Sequence, residues 1–287
     1  MNFLTKGEKM RVYKVELRKE YPFLKGGSLD CMLADYPMDG ENANGWKRPA
    51  LIAVAGGGYA YVSKREAEPV ALAFLARGFQ AFSLTYSYDC EEARYPEQLL
   101  QLAAAVDYVR KHAEELNVNP DEIFAVGFSA GGHLTGNLSV EYASIAEKAG
   151  VQLDCKPTAV GLCYPVITHK DGHFGSYENL LKGYTEEAKE ELFKTLDLNE
   201  AVTKDTPPAF IWATADDQIV PANNALHYAL ALANCGVEYE LHIYPHGPHG
   251  FSTANLEINA PHEGLAKAVR WIDDCAAFFR QYTVERF

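Results

Sequence analysis

The segment Gly127-Phe128-Ser129-Ala130-Gly131-Gly132 contains G-x-S-x-G, a spacing that can expose a serine as a nucleophile. An apolar run, Glu122 to Val126, reads as a strand just before it, and a helical pattern begins at Ala130. A serine between the two sits on a turn so sharp that it needs small neighbours, which the glycines supply, and the turn lifts its hydroxyl above the sheet edge. The same turn sets the Ala130 N–H at the start of a helix, where it can donate to a developing oxyanion. A glycine-rich turn without chemistry is the plain alternative, but the strand–turn–helix context favours Ser129 as nucleophile.

Such a serine needs oxyanion donors, a base and an acid. Ala55-Gly56-Gly57-Gly58-Tyr59 follows a second apolar run, Ala50 to Ala55, and its glycines free backbone N–H groups for close approach to a ligand. A phosphate loop would call for G-x-G-x-x-G or G-K-[ST], and neither is present. Gly57 and Gly58 are therefore read as oxyanion donors together with Ala130.

Two aspartates, Asp216 and Asp217, end the apolar run Ala209 to Thr214, where a carboxylate can orient a histidine on the next loop. Asp217 lies further out, ahead of Val220-Pro221, and is favoured; Asp216 is expected to cap or turn the loop. The base is sought in His246-Gly247-Pro248-His249-Gly250-Phe251. Both histidines qualify, and His249 is favoured because the following glycine lets the loop approach the serine. His242 stands on the polar face of a strand. The three together hint at a metal site, but the serine turn calls for a base. His112 and His227 fall on helices as surface or packing residues, and His133 is read as packing.

The order Ser129, Asp217, His249 is that of the α/β-hydrolase fold. The stretches GGGYAYVSKREAEPVA (Gly56 to Ala71), NPDEIFAVGFSAGGHL (Asn119 to Leu134), TPPAFIWATADDQIVP (Thr206 to Pro221) and HGPHGF carry a resemblance to a family. From about Pro49 onward the chain resembles α/β-hydrolases of the esterase/lipase type, and more closely the bacterial acetyl-xylan-esterase-like and carboxylesterase-like branch. Many relatives have histidine or proline where this chain has Ala55, a difference that leaves the backbone donors in place. The resemblance implies a serine carboxylesterase acting through an acyl-enzyme on a small-molecule, short-chain ester, with acetylated sugars or xylo-oligosaccharides as substrates. It calls for no metal or organic cofactor. A serine peptidase is the rival enzyme, although prolyl-oligopeptidase relatives carry a propeller for which 287 residues leave no room. A catalytically silent binding protein on the same fold is the other rival, opposed by the presence of all three triad residues.

The elements that must position these groups alternate. Arg11 to Leu17 and Leu29 to Tyr36 read as a pair of strands, with turns at Gly26-Gly27 and at Asp39 to Gly45. Helices are expected over Glu66 to Arg77, Pro96 to Leu116, from Ala130, from Pro221, and from His262 to Tyr282. The helix after Pro221 is expected to bury Ala222, Ala225, Leu226, Ala229, Leu230 and Ala233. Further strands are expected at Phe79 to Leu84, Thr158 to Cys163 and Tyr239 to Ile243. This βα alternation implies an α/β fold, a mainly parallel sheet with helices on both faces. Residues 1–287 are read as one domain, with 1–48 as extra N-terminal strands and 164–208 as a small cap insertion over the carboxyl ends of the strands.

Composition agrees with a globule: 48% hydrophobic and 23% charged residues exclude a disordered chain. The net charge of −13 argues against nucleic acid and against anionic membrane surfaces as partners. Six cysteines without C-x-x-C spacing read as free thiols rather than a zinc or redox site. Met1 to Lys14 lacks the apolar core of a signal peptide, and no apolar run reaches 18 residues, so a cytoplasmic location is expected. Self-association into a homo-oligomer is left open.

Overall fold

The computed structural model describes residues 10–34, 46–171 and 173–284. The turn expected at Asp39 to Gly45 and the end of the second strand at Tyr36 lie outside the described residues.

Among the described residues, eight strands form one sheet: β1 (Arg11–Glu16), β2 (Ser28–Leu33), β3 (Arg48–Val54), β4 (Gln80–Thr85), β5 (Val118–Phe128), β6 (Ala159–Cys163), β7 (Ala209–Thr214) and β8 (Tyr239–Tyr244). Their order is β1-β2-β4-β3-β5-β6-β7-β8. The pairs β1–β2 and β2–β4 are antiparallel, and every other neighbouring pair is parallel. Apolar residues on both faces make β3 a central strand. Ala50, Ile52 and Val54 enter one core, and Leu51 and Ala53 enter the other, as the two-residue period of a strand requires.

The helices are α1 (Glu68–Leu75), α2 (Glu97–Lys111), α3 (Ala113–Leu116), α4 (Ala130–Glu141), α5 (Ile145–Ala149), α6 (Phe174–Leu180), α7 (Glu186–Leu196), α8 (Leu198–Ala201), α9 (Asn223–Cys235), α10 (Leu265–Ala268) and α11 (Trp271–Arg280). Residues of α2, α3 and α4 pack on one face of the sheet, and residues of α1 and α11 on the other.

Several boundaries differ from the sequence reading. The helix expected from Glu66 starts at Glu68, with Pro69 in its first turn, and a 3-10 turn, Lys64–Glu66, precedes it. The helix expected from Pro96 to Leu116 breaks at His112, whose ring stacks on Tyr108 at 4.2 Å and reaches Glu20 at 3.0 Å. The helix expected from His262 splits into α10 and α11. The joint at Val269 and Arg270 has ψ of −23° and −16°, the values of a tightened 3-10 turn.

The buried face of α9 is also rotated. Asn224, Ala225, Tyr228, Ala229 and Leu232 face inward, whereas Leu226 and Leu230 are 46% and 60% exposed. An apolar count alone favours the two leucines. Asn224 can be buried because its side chain is fully used: its oxygen accepts the Ile167 N–H at 2.9 Å, and its amide donates to Asp171 and Pro221 carbonyls.

The sheet order sets the place of the site. The chain leaves β3 for β4 on one side and then returns past β3 to β5 on the other. The loops after β3 and β5 therefore diverge and leave a crevice at the carboxyl ends of the strands, where α/β sheets bind ligands.

Candidate active site

Ser129 joins β5 directly to α4 with φ +53° and ψ −118°, a strained conformation for a residue with a side chain. Close packing enforces the flanking glycines: a Cβ on Gly131 would lie 2.1 Å from the Val54 carbonyl oxygen, and one on Gly127 would lie 2.2 Å from that of Gly131. The turn is held from outside as well. The Ser129 N–H donates to Cys163 at 3.0 Å, and its carbonyl accepts from Val166 at 3.1 Å.

His249 Nε2 lies 2.8 Å from Ser129 Oγ, and His249 Nδ1 lies 2.7 Å from Asp217 Oδ2. The carboxylate can only accept, so Nδ1 carries its proton and the Nε2 lone pair faces the serine hydroxyl. Asp217 is buried after β7, and its other oxygen takes the N–H groups of Ile219 at 2.8 Å and Val220 at 3.0 Å, which locks the side chain.

Asp216 turns the other way. It accepts from the Gly247 N–H at 2.7 Å and meets His246 Nδ1 at 3.2 Å, a half-exposed pair that ties the β7 and β8 loops together. The Gly247 bond, ahead of the His246 contact, holds this carboxyl below its ordinary range. His242 meets Glu240 at 2.7 Å, His112 meets Glu20, and His227 meets Asp171 at 2.9 Å.

The loop after β3 crosses in front of Ser129. A Cβ on Gly56 would lie 2.9 Å from the serine Cβ. Gly57 has φ +129°, and its carbonyl accepts from Ala60 at 3.0 Å and Tyr61 at 3.3 Å, so the loop curls back on itself. Among the described residues, none accepts a hydrogen bond from the N–H of Gly57, Gly58 or Ala130. Ala55, buried at the end of β3, gives its carbonyl to the Tyr86 hydroxyl at 2.8 Å.

Residues of the segment 164–208 lie against this loop. Asn179 donates its side-chain amide to the Gly58 carbonyl at 2.8 Å, and Tyr95 donates its N–H to Leu180 at 2.9 Å. Among the apolar residues of this segment, Tyr177, Leu180 and Leu181 are buried in the core, whereas Phe174 is 53% exposed.

Three buried polar side chains near the site have no motif to mark them. His133 donates from Nε2 to the Leu196 carbonyl at 2.9 Å and accepts at Nδ1 from the Tyr59 hydroxyl at 2.8 Å; burial lowers its pKa to about 4. Glu66 and Tyr164 form a pair at 2.8 Å, and Glu66 also accepts the Gly56 N–H at 2.9 Å. Burial raises the Glu66 pKa against the pull of these two hydrogen bonds. Their partners lie on distant loops, so sequence spacing carries no trace of them. Among the described residues, no three metal-ligating side chains gather, and no helix is long and apolar enough to cross a membrane.

The model of the BD-FAE family matches residues 40–232. Over 217 residues, 74% of this chain, it is 32% identical to endo-1,4-beta-xylanase B of Butyrivibrio fibrisolvens, of which it spans 34%. It is likewise 32% identical to the acetylxylan esterase of Xylanibacter ruminicola, matching over 74% of this chain and 42% of that one. The chain thus spans less than half the length of these two curated relatives. Among solved structures, an acetyl ester-xyloside bifunctional hydrolase from Caldicellulosiruptor lactoaceticus superposes with a TM-score of 0.77 at 30% identity, covering 98% of each chain. A carboxylesterase from Lactobacillus plantarum superposes with a TM-score of 0.78 at 26% identity, covering 96% of this chain and 97% of that one.

Proposed function

Since the chain belongs to the BD-FAE family and has the α/β-hydrolase fold, we propose that it is a serine carboxylesterase that hydrolyses short-chain, acetyl-type esters. The observation that carries this reading is the hydrogen-bonded line Ser129–His249–Asp217, with distances of 2.8 and 2.7 Å, at the crevice where the β3 and β5 loops diverge.

Ser129 Oγ attacks the ester carbonyl while His249 Nε2 takes its proton. Asp217 holds the imidazole in the tautomer that can do so and stabilises the imidazolium. The carbonyl oxygen becomes an oxyanion and is met by the N–H groups of Gly57, Gly58 and Ala130. His249 then protonates the leaving alcohol, which departs and leaves an acyl-serine. Water, deprotonated by His249, attacks that ester; the carboxylic acid leaves and the proton returns to Ser129.

Acetylated sugars or xylo-oligosaccharides are the substrates we favour, on the names of two relatives, the acetylxylan esterase and the acetyl ester-xyloside hydrolase. In this reading the 164–208 segment is a cap whose exposed Phe174 offers an apolar face to a sugar ring, and a cytoplasmic setting suits short oligosaccharides better than polymer. The test is a panel of p-nitrophenyl esters run beside acetylated xylo-oligosaccharides and an aminoacyl anilide, with fluorophosphonate labelling of Ser129. Labelling with acetate release supports the proposal; turnover of the anilide alone would make the protein a peptidase, and no labelling would make it a binding protein.

A further inference from the structure

One buried carboxyl group near the triad has no part in the mechanism so far. Glu66 is 4% exposed and lies in the turn that precedes α1. Its Oε2 accepts the Gly56 N–H at 2.9 Å, one residue before the first proposed oxyanion donor. Its Oε1 meets the Tyr164 hydroxyl at 2.8 Å. That hydroxyl oxygen also accepts the Ser252 N–H at 2.9 Å, so its proton is left to point at Glu66. Both carboxyl oxygens are thus acceptors, the pattern of an ionised group.

Ser252 lies three residues beyond His249 and is fixed on its other side by the Trp271 indole, which donates to its carbonyl at 2.9 Å. The Tyr164 ring stands edge-on to the His249 ring at 5.1 Å between centroids. The Gly56 backbone touches the nucleophile, since a Cβ there would be 2.9 Å from the Ser129 Cβ. One carboxylate therefore connects the loop in front of the serine with the loop that carries the histidine.

We infer that Glu66 is a positioning residue for the proposed ester hydrolysis, which binds the oxyanion loop to the histidine loop and holds a second negative charge close to His249. This rests on the serine-esterase reading above. The charge matters when His249 becomes imidazolium during attack, because a carboxylate in a water-poor site favours that cation. The groups that face His249 are Asp217, Ser129, Tyr164 and Glu66, with the Arg65 guanidinium nearby and opposite in effect. Loss of the Glu66 charge removes a group that stabilises the imidazolium formed during attack, so the acid limb of activity moves to lower pH.

The experiment compares the full-length parent with Glu66→Gln, Glu66→Asp and Tyr164→Phe. It measures kcat and KM for p-nitrophenyl acetate and the rate of fluorophosphonate labelling of Ser129, both across pH. We expect Glu66→Gln to lower kcat about tenfold or more with KM within about twofold, the scale of a partly displaced oxyanion donor. Its acid limb should move down by about one pH unit in both readouts, and Glu66→Asp should move it back. Tyr164→Phe keeps the charge and cuts the link to Ser252, so kcat and labelling should fall several-fold with little movement of the limb. A Glu66→Gln enzyme that only melts earlier, with parental kcat and acid limb, overturns the inference. If Glu66→Gln does not fold, parental rates in Tyr164→Phe overturn it instead. A parent that is labelled but hydrolyses no ester removes the esterase reading alone, because labelling still reports on Glu66; a parent that is not labelled removes both.

Discussion

Asp216 and Asp217 are chain neighbours that serve two different histidines. Asp217 meets His249 Nδ1 at 2.7 Å in a buried position, and Asp216 meets His246 Nδ1 at 3.2 Å at the surface. Asp217→Asn should therefore lower kcat by on the order of 10³- to 10⁴-fold, because an amide in this place favours the wrong imidazole tautomer. Asp216→Asn should stay within a few-fold of the parent. Equal losses in the two variants, measured with p-nitrophenyl acetate, would show that the carboxylates share the task.

The histidines can be separated in the same way. Ser129→Ala and His249→Ala should each cost on the order of 10⁴-fold or more in kcat, and the double variant little beyond that, since the groups act as a unit. His246→Ala removes only a half-exposed contact with Asp216 and should retain most activity. An inactive His246→Ala beside an active His249→Ala would reverse the assignment.

Gly57 offers a test of the oxyanion loop. With φ at +129° and a would-be Cβ 2.1 Å from the Tyr61 carbonyl oxygen, Gly57→Val cannot keep the loop's path. The expected loss is about 10²-fold or more in kcat, with far-UV circular dichroism unchanged. Full activity in this variant would place the donors elsewhere.

His133 predicts a pH effect on stability rather than on chemistry. Its pKa falls from 6.5 to about 4 because burial disfavours the imidazolium. Between those values the unfolded chain binds the extra proton, so this contribution is present above pH 6.5 and is lost as pH falls toward 4. At about 1.4 kcal/mol for each pH unit, the full effect is about 3 kcal/mol. Denaturant unfolding of the parent and His133→Gln at pH 7 and pH 4.5 measures it; the variant should lose less stability on acidification, and an equal loss in both would refute the assignment.

Acyl preference tests the cap. Tyr177, Leu180 and Leu181 are committed to the core, which leaves Phe174 as the exposed aromatic of α6 and no broad apolar wall from these residues. A long chain gains about 0.8 kcal/mol per CH₂ only where such a wall buries it. We expect kcat/KM to be highest for acetyl esters and to fall beyond about six carbons. A maximum at octanoate or decanoate would contradict this.

The sequence by itself determined the strand–helix alternation and the nucleophile turn, since both rest on short-range physics. A run apolar on both faces must lie inside a sheet, and G-x-S-x-G admits a serine at φ +53° in part because Gly127 lets its backbone meet that of Gly131, four residues on. The helix breaks at His112 and ahead of Trp271 carry no local signal, and both residues contact partners distant in sequence, Glu20 for the first and the Ser252 carbonyl for the second. The inward face of α9 likewise turns on Asn224, which accepts the Ile167 N–H and donates to the Asp171 carbonyl. The site shows the same division. The sequence favours Asp217 over Asp216 and His249 over His246, and the register of β7 on β8 gives the two aspartates different histidine partners. Thr214 stands opposite Tyr244, which brings Asp216 level with His246 and leaves Asp217 to reach forward to His249. Glu66 was wholly a product of tertiary structure: its donors lie ten and 98 residues away, and only the folded sheet makes them neighbours.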